Sequence, residues 1–208
     1  MEAVLLHLCY FGPISEFVAI AQAETLIFEN EDNYQKQTYR NRMYIYGANG
    51  KLSLNIPIKH TGDKSQHQKY KDVRVENEFS WQKQHWKSLQ TAYRTSPFFE
   101  YYEDDLAPLY EKKREFLLDF NYECLELLTE CLQMDLNARK TEEYILNPPS
   151  PLEDLRGLVN AKQEVLKLEP YPQVFENKLG FIPGLSILDL LFNEGPNSIN
   201  YLKGQTLK

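Results

Sequence analysis

The sequence predicts an α/β chain, and three observations support that reading. Two apolar runs, Ala3-Val4-Leu5-Leu6 and Thr25-Leu26-Ile27-Phe28, are long enough for buried strands and too short for helices. Between them, Glu16–Ala23 carries Phe17, Ile20 and Ala21 on one helical face. Downstream, Asn49-Gly50 divides two β-rich stretches and marks a hairpin turn. Strand, turn, helix and strand in that order make a βαβ (Rossmann-like) unit, which favours a parallel pair. The expected architecture is therefore an N-terminal βαβ unit, a following β-hairpin sheet and a mostly helical C-terminal half, in a single domain over residues 1–208.

The elements follow from local chemistry. Tyr10-Phe11-Gly12-Pro13 reads as a turn, and Ser15 as the cap of the first helix. Its loop would lie at the carboxyl end of a strand, where open α/β sheets bind ligands. Arg42–Tyr46 alternates loosely; in Lys51–Ile58, Leu52, Leu54, Ile56 and Ile58 share a face. His60–Lys69 is polar and aperiodic and reads as a mobile loop, with a short strand at Val73 and Val75 after it. Trp81, His85, Leu89, Ala92 and Tyr93 recur at helical spacing until Pro97 stops them. Leu106–Phe120 and Asn121–Leu136 read as two amphipathic helices. Pro148, Pro149 and Pro151 form a rigid connector, Leu152–Gly157 one helical turn and Val165–Leu168 an edge strand. Ser186 caps a last helix, Ile187–Phe192, closed by Gly195-Pro196.

Charge is unevenly spread. Over Tyr34–Arg74 there are nine Lys or Arg against Asp63 and Asp72, a balance of +7 on a chain of −7 overall. Such a segment focuses potential locally. The acidic whole argues against nucleic acid as a partner. No apolar run approaches the ~18 residues of a membrane span. Cys9, Cys124 and Cys131 are too few and too irregular for a disulfide or zinc framework. The start, with Glu2 in place of a basic residue, is unlike a signal peptide, and a cytoplasmic location is expected. No Gly-x-Gly-x-x-Gly or Walker pattern occurs, so no cofactor is assigned.

The densest chemistry lies in Tyr34–Arg42, with three cations, two tyrosines, four amides or hydroxyls, and no acid or aliphatic side chain. Lys36, Arg40, Asn41 and Arg42, flanked by Tyr34 and Tyr39, suit a phosphate or carboxylate ligand. In extended backbone Arg40 and Arg42 would share a face and clamp one anion together. The alternative is a structural pairing of each Arg with an internal acid. His7, after the first strand, is either a general base at the strand end or a satisfied core histidine. Tyr10 is either in the same cleft or in the core. His85 has the same two readings on a cleft wall, and Lys59 borders the basic site or a solvated turn. Asp189 and Asn193, spaced i, i+4, share a face that would pair Asp189 with Arg40 or Arg42. No activated nucleophile and no metal-ligand spacing is recognised.

Four blocks resemble the WbqC-like protein family, a bacterial family met among surface-polysaccharide (O-antigen) biosynthesis proteins. Tyr10-Phe11-Gly12-Pro13-Ile14 is similar to an opening that typically reads Gln-Pro-x-Tyr-x-Pro, with His7-Leu8 here in place of Gln-Pro. Tyr34-x-Lys36-x-x-Tyr39-Arg40-Asn41-Arg42 resembles a Tyr-x-Lys-Arg-x-Trp-x-Asn-Arg block, with Tyr39 for Trp. The hairpin Asn49-Gly50 with Leu54-x-Ile56-Pro57-Ile58 and Trp81-x-x-x-His85 is the third. Leu185–Gly195 is close to the family's C-terminal signature. The paired Asp expected before Tyr34 reads Asn30-Glu31. Together with the basic cluster, the resemblance implies a transferase taking an anionic activated donor, such as a nucleotide-sugar or another phosphate or carboxylate metabolite. The alternative is a non-catalytic module that binds a glycan, a metabolite or an acidic protein.

Overall fold

Val4, Leu5 and Leu6 are buried on both faces of the chain, the condition under which a strand sits inside a parallel sheet. The computed structural model describes residues 1–59, 67–162 and 166–207. In it β1 (Ala3–Leu6) is flanked on one side by β2 (Thr25–Phe28) and on the other by β6 (Leu152–Asp154), and β5 (Ala138–Lys140) lies outside β2. All three pairings are parallel, with Ala3 opposite both Thr25 and Leu152 and Leu26 opposite Ala138. The crossover from β1 to β2 is helix α1 (Ile14–Gln22), which buries Phe17, Val18 and Ile20. Pro13 holds the N-cap position and Ser15 lies inside the first turn, where it caps nothing; the Ile14 amide is donated to the Leu185 carbonyl.

Strands β5 and β6 correct the sequence reading. Leu152–Asp154 is a strand and not a helical turn. Its backbone completes the open edge of β1, and the Leu155 amide continues the pairing to the Leu5 carbonyl. Ala138–Lys140 is fully exposed and charged, with no apolar period to announce it. Leu166–Leu168 form no strand, and Val165 lies outside the described residues, as do His60–Gln66 of the polar loop. Val75 and its neighbour Arg74 make only isolated bridges, and Val73 makes none, beside a 3-10 turn at Tyr70–Asp72.

The second sheet is the hairpin of β3 (Arg42–Gly47) and β4 (Gly50–Asn55), in register Gly47 to Gly50. Gly50 takes φ +110°, a conformation open to glycine. Leu54 and Ile56 are buried, but Leu52 is 41% exposed, so the predicted apolar face is incomplete at its tip. Helix α2 (Trp81–Tyr93) is as the spacing requires. Helix α3 (Phe99–Glu111) starts earlier than expected and contains Pro108; Asp104, whose carbonyl that proline deprives of a partner, is exposed and can be hydrated. The break falls on the charged run after Glu111, ahead of α4 (Leu117–Cys131). A short helix α5 (Glu176–Leu179) precedes α6 (Ile187–Glu194) and α7 (Ser198–Gly204).

Helix α6 holds the first loop in place. Ser186 accepts from the Leu188 amide as the N-cap, while its hydroxyl donates to the Phe11 carbonyl at 2.7 Å. The Ile187 amide donates to the Gly12 carbonyl. No helix among the described residues is long and apolar enough to cross a membrane. Gly195, at φ +53°, ends α6 with a Cβ position only 2.5 Å from the Phe98 ring. Gly195→Ala is therefore expected to cost about 1–3 kcal/mol, read in thermal denaturation as about 2–4 °C per kcal/mol for a chain of this size.

Candidate functional site

Because the four strands of the first sheet are parallel, their carboxyl ends meet at one edge. The chain steps from β1 to β2 on one side and returns at β6 on the other, the reversal at which such sheets bind ligands. At this edge β1 delivers His7, β2 delivers Glu29 to Asp32, and β6 delivers Asp154 and Arg156. Glu29 is fully buried and accepts from the Thr141 hydroxyl and the Glu31 and Ile145 amides, with the Arg156 guanidinium 3.7 Å away.

Asp32 is the junction. One oxygen, Oδ2, lies 2.9 Å from Arg40 Nη2 and 3.2 Å from His7 Nε2. Arg40 is 0% exposed and His7 5%. Burial alone would raise the Asp32 carboxyl; the hydrogen bond from His7, with the Arg40 charge and the Asn33 amide, opposes it, and the group stays below its ordinary 3.8. Burial lowers His7 below 6.5 against the pull of Asp32, and the Arg40 charge adds to that lowering. The consistent state at neutral pH is an ionised Asp32 with a neutral imidazole. Its Nε2–H donates to the carboxylate, which leaves a lone pair on Nδ1. That Nδ1 is buried and makes no hydrogen bond of good geometry, although the Glu29 backbone lies close enough to the ring to pull its pKa upward; Arg40 Nε and Nη1 are buried without partners. The Arg40 guanidinium lies 5.3 Å from the centre of the Tyr70 ring, and Asn121 donates to the Arg40 carbonyl at 2.8 Å.

On the Tyr34 and Arg42 side of this junction opens a cavity of about 580 Å³, and His7, Asp32 and Arg40 are not among the residues that line it. Its charged wall is Lys36, Arg42 and Lys59, with Asn41 and Gln37 between them. Ile56, Pro57 and Ile58 make an apolar stretch, and Tyr34, Asn55, Phe79 and Glu76 complete the lining. Among the described residues Lys36, Arg42 and Lys59 make no ion pair. Arg42 Nε and Asn41 Oδ1 are buried without a partner, although Asn41 Nδ2 donates to the Ile56 carbonyl. Tyr34 ties the cavity to the junction: burial pushes its phenol up to about 12, while Arg40 and Arg42, both near it, pull the other way.

The predicted cluster thus divides. Lys36 to Asn41 form turns with Gln37 at φ +63°, so Arg40 and Arg42 do not alternate along one strand and do not share a face. Arg40 points inward to Asp32, whereas Arg42 and Lys36 line the cavity. Tyr39 packs with Cys9 and Val159, and only its backbone serves the loop, accepting from the Tyr10 amide. Tyr10 is fully buried, and its hydroxyl bonds to His85 Nδ1 at 3.0 Å and to the Tyr110 hydroxyl at 2.9 Å. His85 Nε2 donates to the Asn55 carbonyl; burial drives this imidazole down to about 4. His85 stands behind the cavity wall as a neutral brace. Asp189 lies away from both arginines. It accepts from the Tyr93 and Tyr171 hydroxyls and from Gln173, and burial pushes it up to about 6. Asn193 donates to the Asp189 carbonyl and lines no part of the cavity.

The sequence reading passed over Asp32. Its signal was the run Glu29-Asn30-Glu31-Asp32 directly after β2, in which the acid that matters is the last. It also passed over Glu16, buried at 2% beneath Gly12, where a Cβ would fall 1.7 Å from Glu16 Oε2. Burial pushes this carboxyl up to about 8, with the hydrogen bond to Cys9 opposing.

The chain is a mixed α/β protein, with a parallel sheet at its N-terminal end, a separate antiparallel hairpin and a helical C-terminal half. A sequence profile of the WbqC-like protein family matches residues 9–163 and 156–201, and the chain belongs to that family. It is 25% identical to uncharacterised protein Rv1507c of Mycobacterium tuberculosis, across 90% of this chain and 91% of that one. No solved structure matches the chain.

Asp32→Asn leaves the Arg40 charge buried without its partner and is expected to cost about 3–5 kcal/mol. Arg42→Ala should stay within about 1 kcal/mol, because no carboxylate among the described residues depends on it; urea denaturation of both variants checks the contrast. Glu16 has a folded pKa above its ordinary 4.5, so its favourable contribution is complete below about 4.5 and is lost as pH rises through about 8. In Glu16→Gln the fall in stability across that window should disappear, as read from melting temperatures at several pH values.

Proposed function

We propose that the protein is a transferase that binds an anionic, activated donor in the cavity beside Arg42 and serves surface-polysaccharide biosynthesis. The observation that carries the reading is the split between locked and open cations. Arg40 is held by Asp32, while Arg42, Lys36 and Lys59 line a cavity of about 580 Å³ and make no ion pair among the described residues. In this scheme Arg42 grips the donor's phosphate or carboxylate oxygens through its fork, and Lys36 and Lys59 add point charge. They offset the negative charge that grows on the departing group. His7, oriented by Asp32, takes the proton of the accepting hydroxyl or amine on Nδ1. Arg40 keeps Asp32 ionised, so that the carboxylate fixes the tautomer and does not itself accept the proton.

Family membership and the altered Asp pair leave room for a second reading, a non-catalytic module for a glycan, a metabolite or an acidic protein. The observation in its favour is the burial of both candidate proton carriers, His7 at 5% exposure and His85 at 3%.

Turnover separates the two. Incubation with activated donors should release the leaving group, and His7→Gln should slow that release by roughly 10²–10⁴-fold without weakening donor binding. The rate should fall as pH drops through the His7 pKa, below 6.5, because the protonated ring has no lone pair to offer. Donor binding with no turnover at any pH would establish the module. Stabilisation by donors that survives Arg42→Ala would remove the cavity from either account.

A further inference from the structure

Three unlike surfaces meet in the cavity, and a simple anion would use only one of them. The first is the cationic wall of Arg42, Lys36 and Lys59. The second is the carboxylate of Glu76, whose Oε1 accepts from the Glu78 amide. The third is Phe79, whose ring lines the cavity at 64% exposure. A bare phosphate or a small carboxylate would be repelled by Glu76 and would leave Phe79 uncovered. A carboxylate beside a phosphate-binding wall is favourable when the ligand carries hydroxyl donors next to its phosphates; the acidic residue that takes ribose hydroxyls in dinucleotide sites is the general case. An exposed aromatic ring beside bound phosphates is the usual platform for a base, since every base offers a π-face. A volume of about 580 Å³ also exceeds what one anion needs and lies within the range of small-molecule sites.

We propose that the donor is a nucleoside diphosphate derivative, with its base on Phe79, its ribose hydroxyls on Glu76 and its diphosphate on Arg42, Lys36 and Lys59. This rests on the reading that the cavity holds the activated donor, and it adds the chemical class. The arrangement orders the ligand: base at the Phe79 rim, phosphates toward Arg42, whose Nε is buried and unpartnered. The transferred group, attached beyond the second phosphate, then extends along the wall formed by Arg42 and Tyr34.

Isothermal calorimetry with UDP, ADP and GDP, set against inorganic pyrophosphate and the free nucleosides, tests the assignment. At least one nucleoside diphosphate should bind about tenfold or more tighter than pyrophosphate, as base stacking on an aromatic ring requires. Phe79→Ala should remove most of that difference and leave pyrophosphate unchanged. Glu76→Gln should weaken the nucleoside diphosphate and not its 2′,3′-dideoxy analogue. Arg42→Ala should weaken the nucleoside diphosphate and pyrophosphate alike. Pyrophosphate binding as tightly as every nucleoside diphosphate, with Phe79→Ala without effect, would overturn this assignment while leaving an anion-binding cavity in place. No binding of any phosphate compound would overturn both it and the donor cavity.

Discussion

A single carboxylate oxygen, Asp32 Oδ2, is shared by a buried guanidinium and a buried imidazole, and much else in the molecule follows from that sharing. An arginine with no solvent contact is tolerable only beside a charge of opposite sign, since an uncompensated buried ion costs several kcal/mol. Asp32 supplies that charge, and in doing so it fastens the loop after β2 to the residue after β1. The same contact decides which histidine nitrogen carries the proton. It also sorts the basic residues: those inside are spent on the fold, and those at the cavity wall remain available. Ion pairs at exposed positions are weak, so the availability of Lys36 and Lys59 costs the fold little.

The rest of the architecture keeps this junction rigid. Asn121 of α4 reaches the Arg40 carbonyl, and Tyr70, stacked near the guanidinium, donates to the Leu8 carbonyl. His85 of α2 braces Asn55 on one side and Tyr10 on the other. Two helices distant in sequence therefore converge on the loops after β1 and β2. Glu29, buried with its own set of donors, performs the same service for the segment between β5 and β6. Loop geometry held by buried side chains of this kind is fixed in advance, the condition under which binding to any protein costs least entropy.

The legible parts of this chain were those with a repeating pattern. β1 and β2 are unbroken apolar runs, α2 and α6 carry their apolar residues at helical spacing, and Asn49-Gly50 marks its turn. β5 and β6 were illegible because each is three residues long and half or more of each is exposed; they exist because the edges of β2 and β1 needed partners. At the site, Tyr34, Lys36, Gln37, Asn41 and Arg42 of the basic run line the cavity, while Tyr39 and Arg40 turn inward. The partner of each residue was not readable. Arg40 chose an acid eight residues away, and Asp189 chose two tyrosines and a glutamine over any arginine. Such pairings depend on where the turns at Lys36 to Asn41 aim the side chains, and no spacing rule for strands or helices applies there.

The bonds from Ser186 and Ile187 to Phe11 and Gly12 join positions about 175 residues apart. On the ribosome, every residue of the cavity wall emerges long before the segment that latches the opening loop. Contacts of such sequence separation form late and slow folding. A nascent chain stopped before Leu185 would hold all of its cavity-lining side chains and still lack the latch, leaving the first loop and the apolar residues beneath it exposed to misassociation.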